Sequence, residues 1–125
     1  MKTAISSRQM GDVCVVDVSG RITLGEEAAT VRDTLRALAK GRQKNVLLNL
    51  GEVSYIDSSG LGVLVSCFAT VTSFGGHLKL LNLNNRVRDL LQITKLYTVF
   101  EVFDEEAAAI RSFAASPVET TVLGG

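Results

Sequence analysis

The sequence predicts a single α/β domain: a mixed, mostly parallel sheet with an N-terminal antiparallel hairpin and about four helices. Three observations carry that expectation. Runs rich in β-branched and aliphatic residues recur at 13–18, 46–50 and 78–83. Between them, apolar residues fall at helical spacing. The two patterns alternate along the chain, the order expected of strands joined in parallel through right-handed helical crossovers.

In chain order, residues 4–9 read as a short polar strand, and Met10-Gly11-Asp12 turns it into Val13-Cys14-Val15-Val16-Asp17-Val18. Gly20 is read as the breaker that ends this second strand. Ala28, Val31, Leu35 and Leu38 then recur at helical spacing, with Glu26 and Glu27 in the first turn where the dipole favours anions. Lys40 and Gly41 close that helix. Val46-Leu47-Leu48-Asn49-Leu50 is apolar on nearly every position, as in a central strand covered on both faces. A second helix is expected over 59–73, ended by Gly75-Gly76, and a strand over 78–83 follows. Asn84 or Asn85 caps a short helix carrying Val87, Leu90 and Leu91. Residues 99–103 form the last strand, and Asp104 caps a last helix that uses Ala107, Ile110 and Ala114. The domain is expected to occupy 1–115, with 116–125 a frayed tail.

Composition narrows the function. In 125 residues, 13 basic side chains balance 13 acidic ones, which argues against nucleic acid or an anionic membrane as the main partner. No apolar run approaches the roughly 20 residues that span a bilayer, and no secretory pattern opens the chain, so the expected address is cytoplasmic. Cys14 and Cys67 sit in apolar contexts without Cys-x-x-Cys spacing and read as reduced, buried thiols.

In open α/β sheets the working surface lies beyond the carboxyl ends of the strands, here the connections at 20–25, 53–60 and 82–85. The most informative of these is Ile56-Asp57-Ser58-Ser59-Gly60-Leu61-Gly62-Val63-Leu64. Ser58 or Ser59 is placed as an N-cap, with Asp57 either a second capping group or part of a recognised surface. Gly60 and Gly62 keep the first helical turn bare, so another protein can approach the serines closely.

This segment, with Asn49-Leu50 before it and Gly75-Gly76 after it, strongly resembles the STAS domains of the anti-sigma-factor antagonist family. Leu90-Leu91 through Phe100, and Phe103-Asp104, resemble the family's C-terminal part, so the likeness runs from Ala4 to Phe113. The resemblance implies a protein-interaction switch. The unphosphorylated domain binds an anti-sigma factor that is itself a serine kinase, freeing the sigma factor. Phosphorylation of the first serine of the pair breaks that complex, and a serine phosphatase restores it. By position the phosphoacceptor is Ser58, and the implied partner-binding residues are Asp57, Ser58, Ser59, Gly60 and Gly62, with Gly20, Arg21 and Thr23. Arg21-Ile22-Thr23-Leu24 departs from the acidic or polar pattern the family often carries there. ATP and Mg²⁺ belong to the kinase, so the chain is expected to need no cofactor or metal, to catalyse nothing and to be a monomer when free.

Other readings are weaker. His77 is the single histidine and opens a strand at the far end of the sheet from Ser58, so no Ser-His-Asp site assembles. Asp57 follows a central strand as a receiver-domain phosphoacceptor would, but Asp17 stands alone where such a domain needs an acidic pair for Mg²⁺. No phosphate-binding glycine loop supports a nucleotide-binding module. A constitutive STAS subunit of a lipid-transport complex or a stress-signalling scaffold is the alternative.

Overall fold

The computed structural model describes residues 3–41 and 43–115, so the expected tail lies outside the described residues. Strands β1 (Ala4–Met10), β2 (Val13–Ile22), β3 (Asn45–Ile56), β4 (His77–Leu81) and β5 (Val102–Phe103) form one sheet in that spatial order. β1 pairs antiparallel with β2, and every other pairing is parallel. The helices are α1 (Glu26–Lys40), α2 (Ser58–Ser73), α3 (Asn85–Thr94) and α4 (Glu106–Ala115). This is the expected mixed sheet with its N-terminal hairpin and four helices.

Alternation along the central strands divides the core between two faces. Val16, Leu48 and Leu80 point to the side covered by α1, α2 and α3. Val15, Leu47 and Leu81 point to the other side, where α4 lays down Ala109 and Phe113. Two polar contacts fasten α4. The nearly buried Lys79 ammonium donates to Ser112 Oγ at 2.9 Å and lies 4.6 Å from the centre of the Phe113 ring. Across the same face, Arg8 of β1 donates to Asp17 Oδ2 at 2.7 Å and to Glu106 Oε2 at 2.9 Å. The Arg8 guanidinium thereby holds the Asp17 and Glu106 carboxyls below the ordinary carboxylate range.

Several boundaries differ from expectation, for local reasons. Gly20 does not end β2. It is buried inside the strand with φ +95°, at an irregularity in the register with β3 that a residue with a side chain would resist. β3 likewise continues six residues past Leu50 to Ile56, because β2 stays paired with it through Ile22↔Ile56. β4 leaves β3 at Asn49↔Leu81, so the ends of β2 and β3 project beyond it as a two-stranded ribbon. Of the expected connection at 53–60, residues 53–56 are therefore strand and 58–60 already helix. Residues 96–98 form a 3₁₀ turn and β5 shrinks to two residues. Asn84, not Asn85, caps α3, its Oδ1 accepting from Val87 N–H at 2.9 Å. Asp104 does not cap α4: the helix starts two residues later, and Asp104 accepts from Arg88 at 2.9 Å.

Cys14 and Cys67 are free and buried, and burial pushes the Cys67 thiol up to about 11. Leu48, fully buried in the middle of the sheet, sets a test of the core. Leu48→Ala is expected to lower the unfolding free energy by about 2–5 kcal/mol, read from urea denaturation of both proteins.

Candidate functional site

The projecting ribbon delivers Asp57 to the start of α2. Asp57 is in extended backbone, and its Oδ1 accepts from Gly60 N–H at 2.8 Å, so Asp57 is the N-cap. This replaces the expected serine cap. Ser58 and Ser59 are the first two helical residues, and among the described residues the Ser58 hydroxyl makes no hydrogen bond. Ser58 is exposed and Ser59 half-buried. A carboxylate accepts at two oxygens, and here the second is also used. Oδ2 accepts from Leu24 N–H at 3.0 Å, while Asp57 N–H donates to Ile22 C=O at 3.3 Å. These two contacts pin the connection after β2 against the first turn of α2.

The result brings Arg21, Thr23 and the Ser58 turn together at the carboxyl end of the sheet, as expected. Arg21 is exposed and Thr23 half-buried. Gly20 is brought near but is buried, its carbonyl accepting from Ser54 Oγ at 3.2 Å.

The two glycines of the turn do different work. A Cβ on Gly60 would lie 2.1 Å from the carbonyl oxygen of Ile22, so Gly60 lets α2 seat directly on the backbone of β2. It is buried, and so it does not bare the surface as expected. Gly62 is exposed, with nothing within 4 Å of where its Cβ would be, and it alone leaves the outer surface open.

A groove of about 610 Å³ opens beside Ser58, lined also by Tyr55, Asp57, Arg86, Leu90 and Ile93. The α3 side of this site was missed in the sequence. One signal was available: Arg86 sits in the first turn of a helix, where the dipole disfavours a cation. Another was Ile93, which lies off the stripe of Val87, Leu90 and Leu91 and is 79% exposed. Leu24, beside Asp57, is 77% exposed.

His77 pairs with Asn45 at the amino ends of β4 and β3, whereas Ser58 follows the carboxyl end of β3, so the two cannot meet. Asp17 lies mid-strand, bonded to Arg8 and Asn49, and is not at the strand end a receiver-type metal pocket requires.

Two measurements follow from this geometry. Gly60→Ala is expected to cost about 1–3 kcal/mol by forcing α2 off β2. Gly62→Ala should be neutral or stabilise by up to about 1 kcal/mol, since alanine is the better helix former; thermal melts distinguish the pair. The N–H groups of Gly60 first, and then Leu24, hold the Asp57 carboxyl below its ordinary value of 3.8. A lowered folded value means that this stabilisation is complete above the ordinary value and is lost as pH falls through the lower one. The difference in urea midpoint between wild type and Asp57→Ala should therefore hold from neutrality to mildly acidic pH and shrink at more acidic pH.

Residues 4–109 match the family model described as STAS domain. Over 102 residues the chain is 34% identical to the anti-sigma-B factor antagonist of Bacillus subtilis (strain 168), covering 82% of this chain and 92% of that protein. The crystal structure of an anti-sigma factor antagonist from Mycobacterium paratuberculosis superposes with a TM-score of 0.78 at 18% identity, over 90% of this chain and 95% of that one. The phosphorylated form of the Bacillus cell fate determinant SpoIIAA superposes with a TM-score of 0.69 at 19% identity, over 87% of this chain and 98% of that one. Among the described residues no helix is long and apolar enough to cross a membrane. With the sequence match spanning nearly the whole sheet and its helices, the chain belongs to the STAS domain family.

Proposed function

We propose that this chain is an anti-sigma-factor antagonist whose partner choice is set by phosphorylation of Ser58. The observation that carries the proposal is the state of Ser58. It is exposed at the first position of α2, its hydroxyl is bonded to nothing among the described residues, and the Asp57 beside it is held fixed by two backbone N–H groups. The cap does not depend on the Ser58 hydroxyl, so that hydroxyl can be modified without undoing the helix. Relatives of similar length carry the matching name, including the anti-sigma F factor antagonist of Paenibacillus polymyxa, at 24% identity over 94% of that protein.

In this reading the unphosphorylated chain binds an anti-sigma factor that is also a serine kinase, and the sigma factor is released. The binding surface is Asp57, Ser58, Ser59 and Gly62, with Arg21 and Thr23 alongside; Gly20 and Gly60 shape it from beneath. The kinase supplies ATP and Mg²⁺. Its γ-phosphoryl group passes to Ser58 Oγ, ADP leaves, and the hydroxyl proton goes to a base of the kinase. A serine phosphatase hydrolyses the ester and resets the switch. The chain is itself no enzyme, holds no cofactor, and acts in the cytoplasm as a monomer when free.

A phosphate adds roughly −1.5 to −2 charges at neutral pH. The first turn of α2 tolerates negative charge through its dipole, so the penalty falls on the complex and not on the fold. A 100- to 1,000-fold loss of affinity corresponds to about 2.7–4 kcal/mol. The two forms are expected to share one backbone.

The test is binding of the cognate anti-sigma kinase, with ATP present, to wild type, Ser58→Ala and Ser58→Asp. Ser58→Ala should stay bound, while wild type is released as it is phosphorylated and Ser58→Asp binds at least tenfold more weakly than Ser58→Ala. Equal retention of all three would replace the switch with a constitutive scaffold.

A further inference from the structure

Two arginines approach the ring of Tyr55 at the rim of the Ser58 groove. The guanidinium carbon of Arg21 lies 5.2 Å from the ring centre, and that of Arg86 lies 5.7 Å from it. Arg86 is exposed, and it stands in the first turn of α3. A cation there is opposed by the helix dipole, and the Tyr55 ring is its one favourable contact among the described residues. Among the described residues no carboxylate pairs with it: Arg8 takes Asp17 and Glu106, Arg32 takes Asp33, and Arg88 takes Asp104. Asp89 stands on the same helix and lines the same groove, without forming an ion pair with Arg86.

A phosphate on Ser58 meets an environment already partly spent. The N–H of Gly60 is taken by the Asp57 side chain, and that of Leu61 by the Asp57 carbonyl. The Asp57 carboxylate itself sits one residue away, and Asp89 adds a second negative charge to the groove. The attractive charges are Arg86, which lines the groove with Ser58, and Arg21, which shares the Tyr55 ring. A cation resting on a half-buried aromatic ring at a groove rim gains only a modest attraction. A guanidinium facing a phosphate dianion forms stronger, charge-assisted and often bidentate hydrogen bonds.

We propose that Arg86 is a built-in receptor for the phosphomonoester on Ser58, leaving the Tyr55 ring to clasp it. The inference rests on Ser58 being the phosphoacceptor and adds where the phosphate goes. Modification then does two things at once: it places a dianion at the start of α2 and withdraws the groove's free cation from any partner carboxylate.

The test needs no kinase. Full-length chain is made with phosphoserine installed at position 58 during translation, and the phosphate is titrated by ³¹P NMR at low salt. A nearby guanidinium favours the dianion, so the second ionisation, ordinarily near pH 6, moves down. The wild-type midpoint is expected to lie about half to one pH unit below that of Arg86→Gln. Arg86→Lys, which keeps the charge but not the fork, is expected to recover part of the difference. Equal midpoints for wild type and Arg86→Gln, with amide spectra showing both folded, would overturn the proposal. Failure of the cognate kinase to modify Ser58 would instead remove the switch and leave this titration unaffected.

Discussion

The Asp57 carboxylate is the contact on which the working end of this domain depends. One oxygen caps α2 through Gly60 N–H; the other reaches across 33 residues of sequence to Leu24 N–H. A single side chain thus joins the connection after β2 to the start of α2, and both are anchored on the end of the sheet through Ile22. Gly60 completes the arrangement from below, because any larger residue would collide with the Ile22 carbonyl. Groups on two separate stretches of chain therefore keep a fixed spacing, which suits the proposed recognition by a folded protein surface.

Such a frame explains how the proposed switch at Ser58 would leave the helix intact. When a serine hydroxyl is the cap, esterifying it removes the cap. Here the capping function belongs to the neighbouring aspartate, and the serine is left chemically free. Division of labour between adjacent residues separates stability from signalling. On the other side of the sheet from α2 and α3 lie α4, Lys79 and the Arg8 contacts, away from Ser58.

Most of this fold was legible in the sequence, because the central strands are nearly continuous aliphatic runs and the helices carry regular stripes. What sequence could not supply were contacts between distant residues. Asp57 reads in the sequence as either a second cap or part of a recognised surface, since nothing local reveals that it is the N-cap and that Leu24 N–H occupies its other oxygen. Gly20 read as a breaker because a buried glycine of positive φ inside a paired strand has the same sequence signature as a turn. β3 was cut short at Leu50 for a similar reason: Gly51 and Glu52 look like a turn, and only pairing with the far half of β2 keeps them extended. Arg86 and Ile93 escaped notice because membership of the site comes from how α3 packs beside the ribbon, not from the helical pattern itself.

That ribbon has a dynamical consequence. From Glu52 to Ile56, β3 has a ladder partner on one side only, while its first half is flanked by strands on both. Opening the tip breaks one ladder and uncovers Ile22, Val53 and Ile56, whereas opening the centre breaks two and exposes the core on both faces of the sheet. Amides near the tip are therefore free to exchange through small local fluctuations, and those around Leu48 only through near-global unfolding. The Ser58 turn thus follows a stretch of sheet held by one ladder and by its seat against the first turn of α2, not by strands on both sides.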